Sequence, residues 1–128
     1  MFLIGVTIGT SVMLMRFIDQ MSGYEAHVKG GEKDWCVRLG LERAVSAVSI
    51  IMLVIHAMHL GLAYFHPVFL LLLLTVPMGR KIVRGLGDKN DDLRFIRPAP
   101  QIVKMVIFSE LLIIISLTVQ NALPWTVW

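Results

Sequence analysis

Residues 67–79 read PVFLLLLLTVPMG, an uncharged run that at 1.5 Å per residue covers only about 20 Å as an α-helix, against the ~30 Å of a bilayer's hydrocarbon core. By length it could be a re-entrant loop as readily as a crossing. Three other stretches, 2–18, 44–64 and 102–121, come close to the usual ~20 apolar residues of a spanning helix. Charge decides the short one. All twelve Lys and Arg fall in two groups, five from Arg16 to Arg43 and seven from Arg80 to Lys104, with none in the 64–67 connection or at the carboxyl end. Basic loops stay cytoplasmic, and both groups share that side only if the short run crosses. The pattern therefore predicts a span over 67–83, with Arg80, Lys81 and Arg84 reaching back to the inner headgroups. Pro67 suits a first helical position, and Pro77 should kink the inner end.

The expected fold is all-α: a polytopic, up-down bundle of four transmembrane helices in a single domain, 1–128. Its spans are 2–18, 44–64, 67–83 and 102–121, its inner loops are 19–43 and 84–101, and both termini are extracytoplasmic. Tyr64, Trp125 and Trp128 would mark the outer interface. The first segment lacks a basic leader region and a small-residue cleavage site, so it reads as a retained helix. With 56% apolar and 16% charged residues and a mean hydropathy of +0.74, the composition is that of a membrane protein.

The net charge of +3 does not indicate nucleic acid, because the basic residues flank hydrophobic segments. The first basic stretch, Arg16 to Arg43, balances five acids against five bases. The second, Arg80 to Lys104, carries a net +4, which suits anionic lipid or an acidic partner, although topology alone accounts for it. Cys36 is the sole cysteine, which excludes an internal disulfide or a C-x-x-C motif. The "GLG" of 85–87 is too short for a phosphate loop. No internal repeat supports an inverted-repeat transporter. Without a nucleophile–base pair or a nucleotide loop, an enzymatic role would have to rest on a bound cofactor.

The chemistry concentrates in "HAMHLGLAYFH", residues 56–66. At alternating four- and three-residue spacing, Val45, Ser49, Met52, His56, His59, Ala63 and His66 form one stripe, with Leu53, Val54, Leu60 and Leu62 off it. His56 lies roughly 18 Å into its helix, near mid-membrane. An imidazole there must pair, face a cavity or hold a ligand. Met52, His56 and His59 could ligate copper, which takes nitrogen and soft sulfur donors. Zinc would need Glu110, the one acid at depth on the last helix. Haem would receive only one axial face from this helix. Alternatively His66, His59, His56 and Glu110 form a proton path. The plainer reading satisfies both imidazoles with Ser, Thr and carbonyl groups of neighbouring helices. Met13, Met15, Met58, Met78 and Met105 read as gap fillers, and His27 as a solvated loop residue. Gly5 and Gly9 give the first helix a small-residue face, suited to packing within the bundle or to self-association.

Arg16 closing helix one, "LER" (41–43) opening helix two, "GRKIVRG" (79–85) closing helix three and "SELLIIISL" (109–117) with its early Glu110 together resemble a group of small four-helix membrane proteins. That group includes the HemJ-type protoporphyrinogen oxidases and the copper-resistance D-like proteins. The resemblance implies this architecture, an acid at Glu110, and haem or copper handling. HemJ-type enzymes carry a histidine on helix one and an "NExP"-like element entering helix four. Here helix one has no histidine and the second element reads "FSELL", so the enzymatic activity does not transfer. The expected function is a small membrane protein that binds or passes copper, another redox-active metal or a haem-type cofactor. Its ligands are His56, His59 and Met52, with Glu110 and His66 in supporting or proton-handling roles. The rivals are an accessory subunit of a larger membrane complex and a proton-coupled carrier assembled as a homo-oligomer.

Overall fold

A computed structural model describes residues 2–122, all of its regular structure helical. Trp125 and Trp128, expected at the outer interface, lie outside the described residues. Helix α1 (Phe2–Ser22) is apolar but carries three hydroxyls in its first half. Thr7, Thr10 and Ser11 each donate to the carbonyl four residues back, at 2.8, 2.8 and 3.0 Å, which hides the hydroxyl hydrogens inside the helix's own backbone. The loop that follows folds into two short helices, α2 (Tyr24–Gly30) and α3 (Trp35–Leu39). Gly31, at φ +71°, ends α2 in a left-handed turn that no branched side chain adopts cheaply. Asp34 caps α3 by accepting the Val37 N–H at 2.8 Å.

Helix α4 (Leu41–Phe65) runs to the extended His66. The decisive stretch then forms a 3-10 helix, Pro67–Thr75, continued by α5 (Val76–Gly87). Pro77 lacks the N–H that an α-helix passing through it would give to Leu73, and its ring would crowd that carbonyl. The chain ahead of it is wound tighter, and regular α-helix begins only at Val76. The expected kink is thus a change of helix type. Helix α6 (Pro98–Ala122) completes the fold. The helices overrun the expected bounds: α1 continues past 18 to Ser22, α4 begins at Leu41, and α6 begins at Pro98. Polar helix ends are tolerated where the chain leaves the apolar region.

Helices α1, α4 and α6 are long and apolar enough to cross a membrane. Their outward faces carry bare aliphatics such as Ile50, Leu53, Leu60, Ile107, Leu111 and Ile114. The 67–87 arm packs against α4 and α6, and α1 packs against the same two, so α4 and α6 occupy opposite corners. The core falls into two clusters. One joins Leu62 of α4 to Phe69 and Leu72 of the 3-10 helix and to Leu112 and Ile113 of α6. The other joins Leu14 to Met21 of α1, Ala44 to Ile55 of α4, Ile82 and Leu86 of α5, and Ile102 to Val106 of α6. Between them, buried polar side chains interrupt every arm: Ser11 of α1, His59 of α4, Thr75 of the third arm and Ser109 of α6.

Two expectations about packing are corrected. The buried seam of α4 is Ala44, Val48, Met52, Ile55, His59 and Leu62. Val45, Ser49, His56, Ala63 and His66 are half-buried along its margin, because a helix pressed between two neighbours buries an arc centred about one residue away from the polar stripe. Leu62, placed off the stripe, is therefore in the core. Met13 is no gap filler, being 57% exposed on the outer face of α1.

Candidate functional site

The polar layer centres on α4. His59 is 1% exposed, and neither of its ring nitrogens has a hydrogen-bond partner. His56, one turn earlier, presents its ring edge-on to that of His59, with centroids 5.7 Å apart and planes at 77°. Its Nδ1 donates to the Met52 carbonyl at 2.7 Å. That oxygen can only accept, so Nδ1 carries a proton, and in the neutral ring Nε2 is then the nitrogen with the lone pair. This Nε2 is buried and unpartnered too. Among the described residues, four buried side-chain nitrogen or oxygen atoms lack a partner, and three are on these two rings. Each such atom costs about 1–3 kcal/mol of desolvation that no bond returns. The nearby hydroxyls do not help: Thr75 and Ser109 donate to carbonyls of their own arms, Leu72 and Val106, at 2.7 and 2.8 Å. The expectation that Ser, Thr and carbonyl groups of neighbouring helices would satisfy these histidines thus fails: three of the four nitrogens have no partner, and the fourth is met by α4's own Met52 carbonyl.

The third arm completes the geometry at Gly79. A Cβ built there would lie 2.7 Å from His56 Cε1, 3.0 Å from Met52 Sδ and 3.3 Å from His56 Nε2. The His56 ring edge and the thioether sulfur therefore pack directly on the Gly79 backbone, side by side, in space that a side chain there would have to take from them. Sequence reading named Met52, His56 and His59 but missed Gly79. The only available signal was a glycine inside a helix that must pass close to the histidine stripe.

Glu110 is half-buried on α6, the corner opposite α4, and makes no hydrogen bond to either imidazole. Counting along each helix puts the two within roughly 6 Å in depth but cannot see that the two helices are diagonal. His66 lies apart from the pair. Its Nε2 accepts from the Gln120 amide at 3.1 Å, beside a cavity of about 790 Å³ lined by Phe2, Phe65, Phe69 and Asn121 among others. Gly5 and Gly9 face outward with nothing within 4 Å of where a Cβ would stand. Packing within this bundle is not their role.

A second cluster sits in the loop after α1. His27, expected to be solvated, has Nδ1 at 2.5 Å from Asp34 Oδ2 and Nε2 at 3.8 Å from Glu32 Oε2. The left-handed turn at Gly31 and the Glu32 N–H bonded to the His27 carbonyl at 2.9 Å bring Glu32 back over the ring. The Val37 N–H, joined by His27, holds the Asp34 carboxyl below its ordinary 3.8. Burial, reinforced by the Asp34 charge, pushes the Cys36 thiol up to about 11. Its Sγ lies 3.5 Å from the Phe17 carbonyl, an arrangement of an inert structural thiol. The atoms of His27, Glu32 and Asp34 lie close enough to hold an ion, but His27 and Asp34 already satisfy one another without one. No known protein family, curated protein or solved structure matches the chain.

Proposed function

We propose that this chain is an integral membrane protein that binds a transition-metal ion between its helices, with His56, His59 and Met52 as ligands. The observation that carries the reading is the set of three buried ring nitrogens without partners beside a thioether. Leaving them empty costs several kcal/mol, and a bound ion recovers it. A single ion suits this set better than a haem, because both imidazoles leave the same face of one helix and cannot clasp a macrocycle from opposite sides.

In this reading the 67–87 arm is the fourth span. Nine 3-10 residues at about 2.0 Å and twelve α-helical ones at about 1.5 Å reach roughly 36 Å, enough for a hydrocarbon core that thirteen α-helical residues could not cross. The bundle then runs up and down with the two basic loops in the cytoplasm and both ends outside. Metal analysis of the detergent-purified, reconstituted protein tests the function: an ion held near one per chain and absent from His56→Ala/His59→Ala is expected. A folded chain that retains none from any offered metal overturns it. The outward Gly5 and Gly9 favour a second, compatible reading, in which the bundle assembles with a further helix of a partner subunit or of another copy.

A further inference from the structure

We infer that the ion this site selects is a soft monovalent one, Cu(I), bound by two neutral imidazoles and the Met52 thioether over Gly79. The inference rests on the metal-binding reading above and adds the charge and oxidation state of the ion.

The donors decide it. His56 commits its Nδ1–H to the Met52 carbonyl, and its Nε2 and the Met52 Sδ both lie against Gly79, 3.3 and 3.0 Å from where a Cβ would stand. This is the arrangement in which a backbone carbonyl orients a ligating histidine and fixes its tautomer. His59 offers a second imidazole, sealed at 1% exposure, with both nitrogens free. No donor of the set is an anion. Two residues that could supply one are engaged or placed elsewhere: Glu110 stands on the diagonal helix without a bond to either ring, and the Cys36 thiol is turned to the Phe17 carbonyl.

Charge then discriminates between metals. The cost of moving an ion from water into an apolar interior grows with the square of its charge, so a divalent ion meets about four times the penalty of a monovalent one. Neutral ligands leave that charge uncompensated. Zn(II) and Cu(II) sites in proteins usually offset it with carboxylate or thiolate, or leave a position for water. Here the surrounding core residues are Ile55, Leu62 and their apolar neighbours. Imidazole and thioether together suit Cu(I), which also accepts the low coordination number that three donors provide. Gly79 is the residue that lets ring and sulfur lie together: any side chain there would displace one or the other.

Anaerobic titration of the full-length apoprotein in detergent tests this, using Cu(I) buffered by a chromophoric chelator, Ag(I) as a redox-inert stand-in, and Zn(II) and Cu(II) for comparison. One equivalent of Cu(I) or Ag(I) is expected, lost in His56→Ala and weakened by about an order of magnitude in the shape-conserving Met52→Leu. Gly79→Ala is expected to cost about tenfold or more, as changes behind a ligand commonly do. X-ray absorption of the copper-loaded protein should show the Cu(I) edge with nitrogen and sulfur neighbours. Zn(II) or Cu(II) bound as tightly as Ag(I), and lost in the histidine variant, would overturn the monovalent assignment while leaving metal binding intact. If thermally intact protein binds none of the four ions, both readings fall.

Discussion

His27 and His59 lie in one small protein under opposite conditions. His27 sits in a loop with a carboxylate beside each nitrogen, closed by the turn of eight residues from His27 to Asp34. His59 sits in the core, 1% exposed, with no partner for either nitrogen. The loop site is complete as it stands: its polar groups answer one another and water screens what remains. The core site is incomplete, since apolar walls make an unmet nitrogen expensive. An incomplete site in a dry place is the one that argues for a missing ligand. The loop cluster, though richer in charge, makes no such demand.

Replacing each histidine by leucine should drive the two sites in opposite directions. His59→Leu removes two orphaned nitrogens at similar volume, so the metal-free protein should melt higher, by the equivalent of about 1–3 kcal/mol, while metal retention disappears. His27→Leu leaves Asp34 with one bond fewer and should lower stability by about 1 kcal/mol. Thermal melts in detergent read both, and a lowered melting point for His59→Leu would erase the contrast. Gly79→Ala comes next: a methyl forced against the His56 ring and Met52 sulfur should destabilise by about 1–3 kcal/mol, whereas the same change at outward-facing Gly9 should not destabilise the bundle.

Smaller effects probe the loop. Asp34→Ala removes the α3 cap and the His27 contact, a loss of about 1 kcal/mol. Because the Asp34 carboxyl is held below 3.8 in the folded chain, its contribution is fully present above that value and is lost as pH falls through the lowered one. The wild type should therefore show an acid-side loss of stability that Asp34→Ala lacks. Cys36 reports the opening: with its thiol pushed up to about 11 and buried, a maleimide at pH 8 should label it only as the loop opens, faster in Asp34→Ala. Smallest is Glu42→Gln, which breaks exposed pairs with Arg94 and Lys89 and should cost no more than about 1 kcal/mol by chemical denaturation.

What could be read from the sequence follows the same division. The three long apolar helices were legible because hydropathy needs only local composition, and the importance of 56–66 because three imidazoles in an oily run are conspicuous. The arc that α4 buries was misjudged by about one residue, since polarity marks a stripe but the two flanking arms determine what is covered. The distance between His56 and Glu110 was illegible for a related reason: depth along a helix follows from counting, whereas the corner a helix occupies depends on how the others pack. Gly79 matters only through the atoms of a different arm. The loop around His27 was misread although its parts are adjacent, because a glycine at positive φ, not any periodicity, returns Glu32 to the ring.

The third arm's change of helix type has a mechanical side. Runs of 3-10 helix longer than three or four residues are uncommon, and this one has nine. Were those residues to relax to α-helical pitch, the arm would shorten by roughly 4.5 Å, close to one turn. With Pro67 anchored at the tight bend after His66, that contraction would draw Gly79 along α4 and away from the His56 edge. The spacing between Pro67 and Gly79 is thus set by helix type as much as by residue count, and the contact of Gly79 with the His56 edge depends on it.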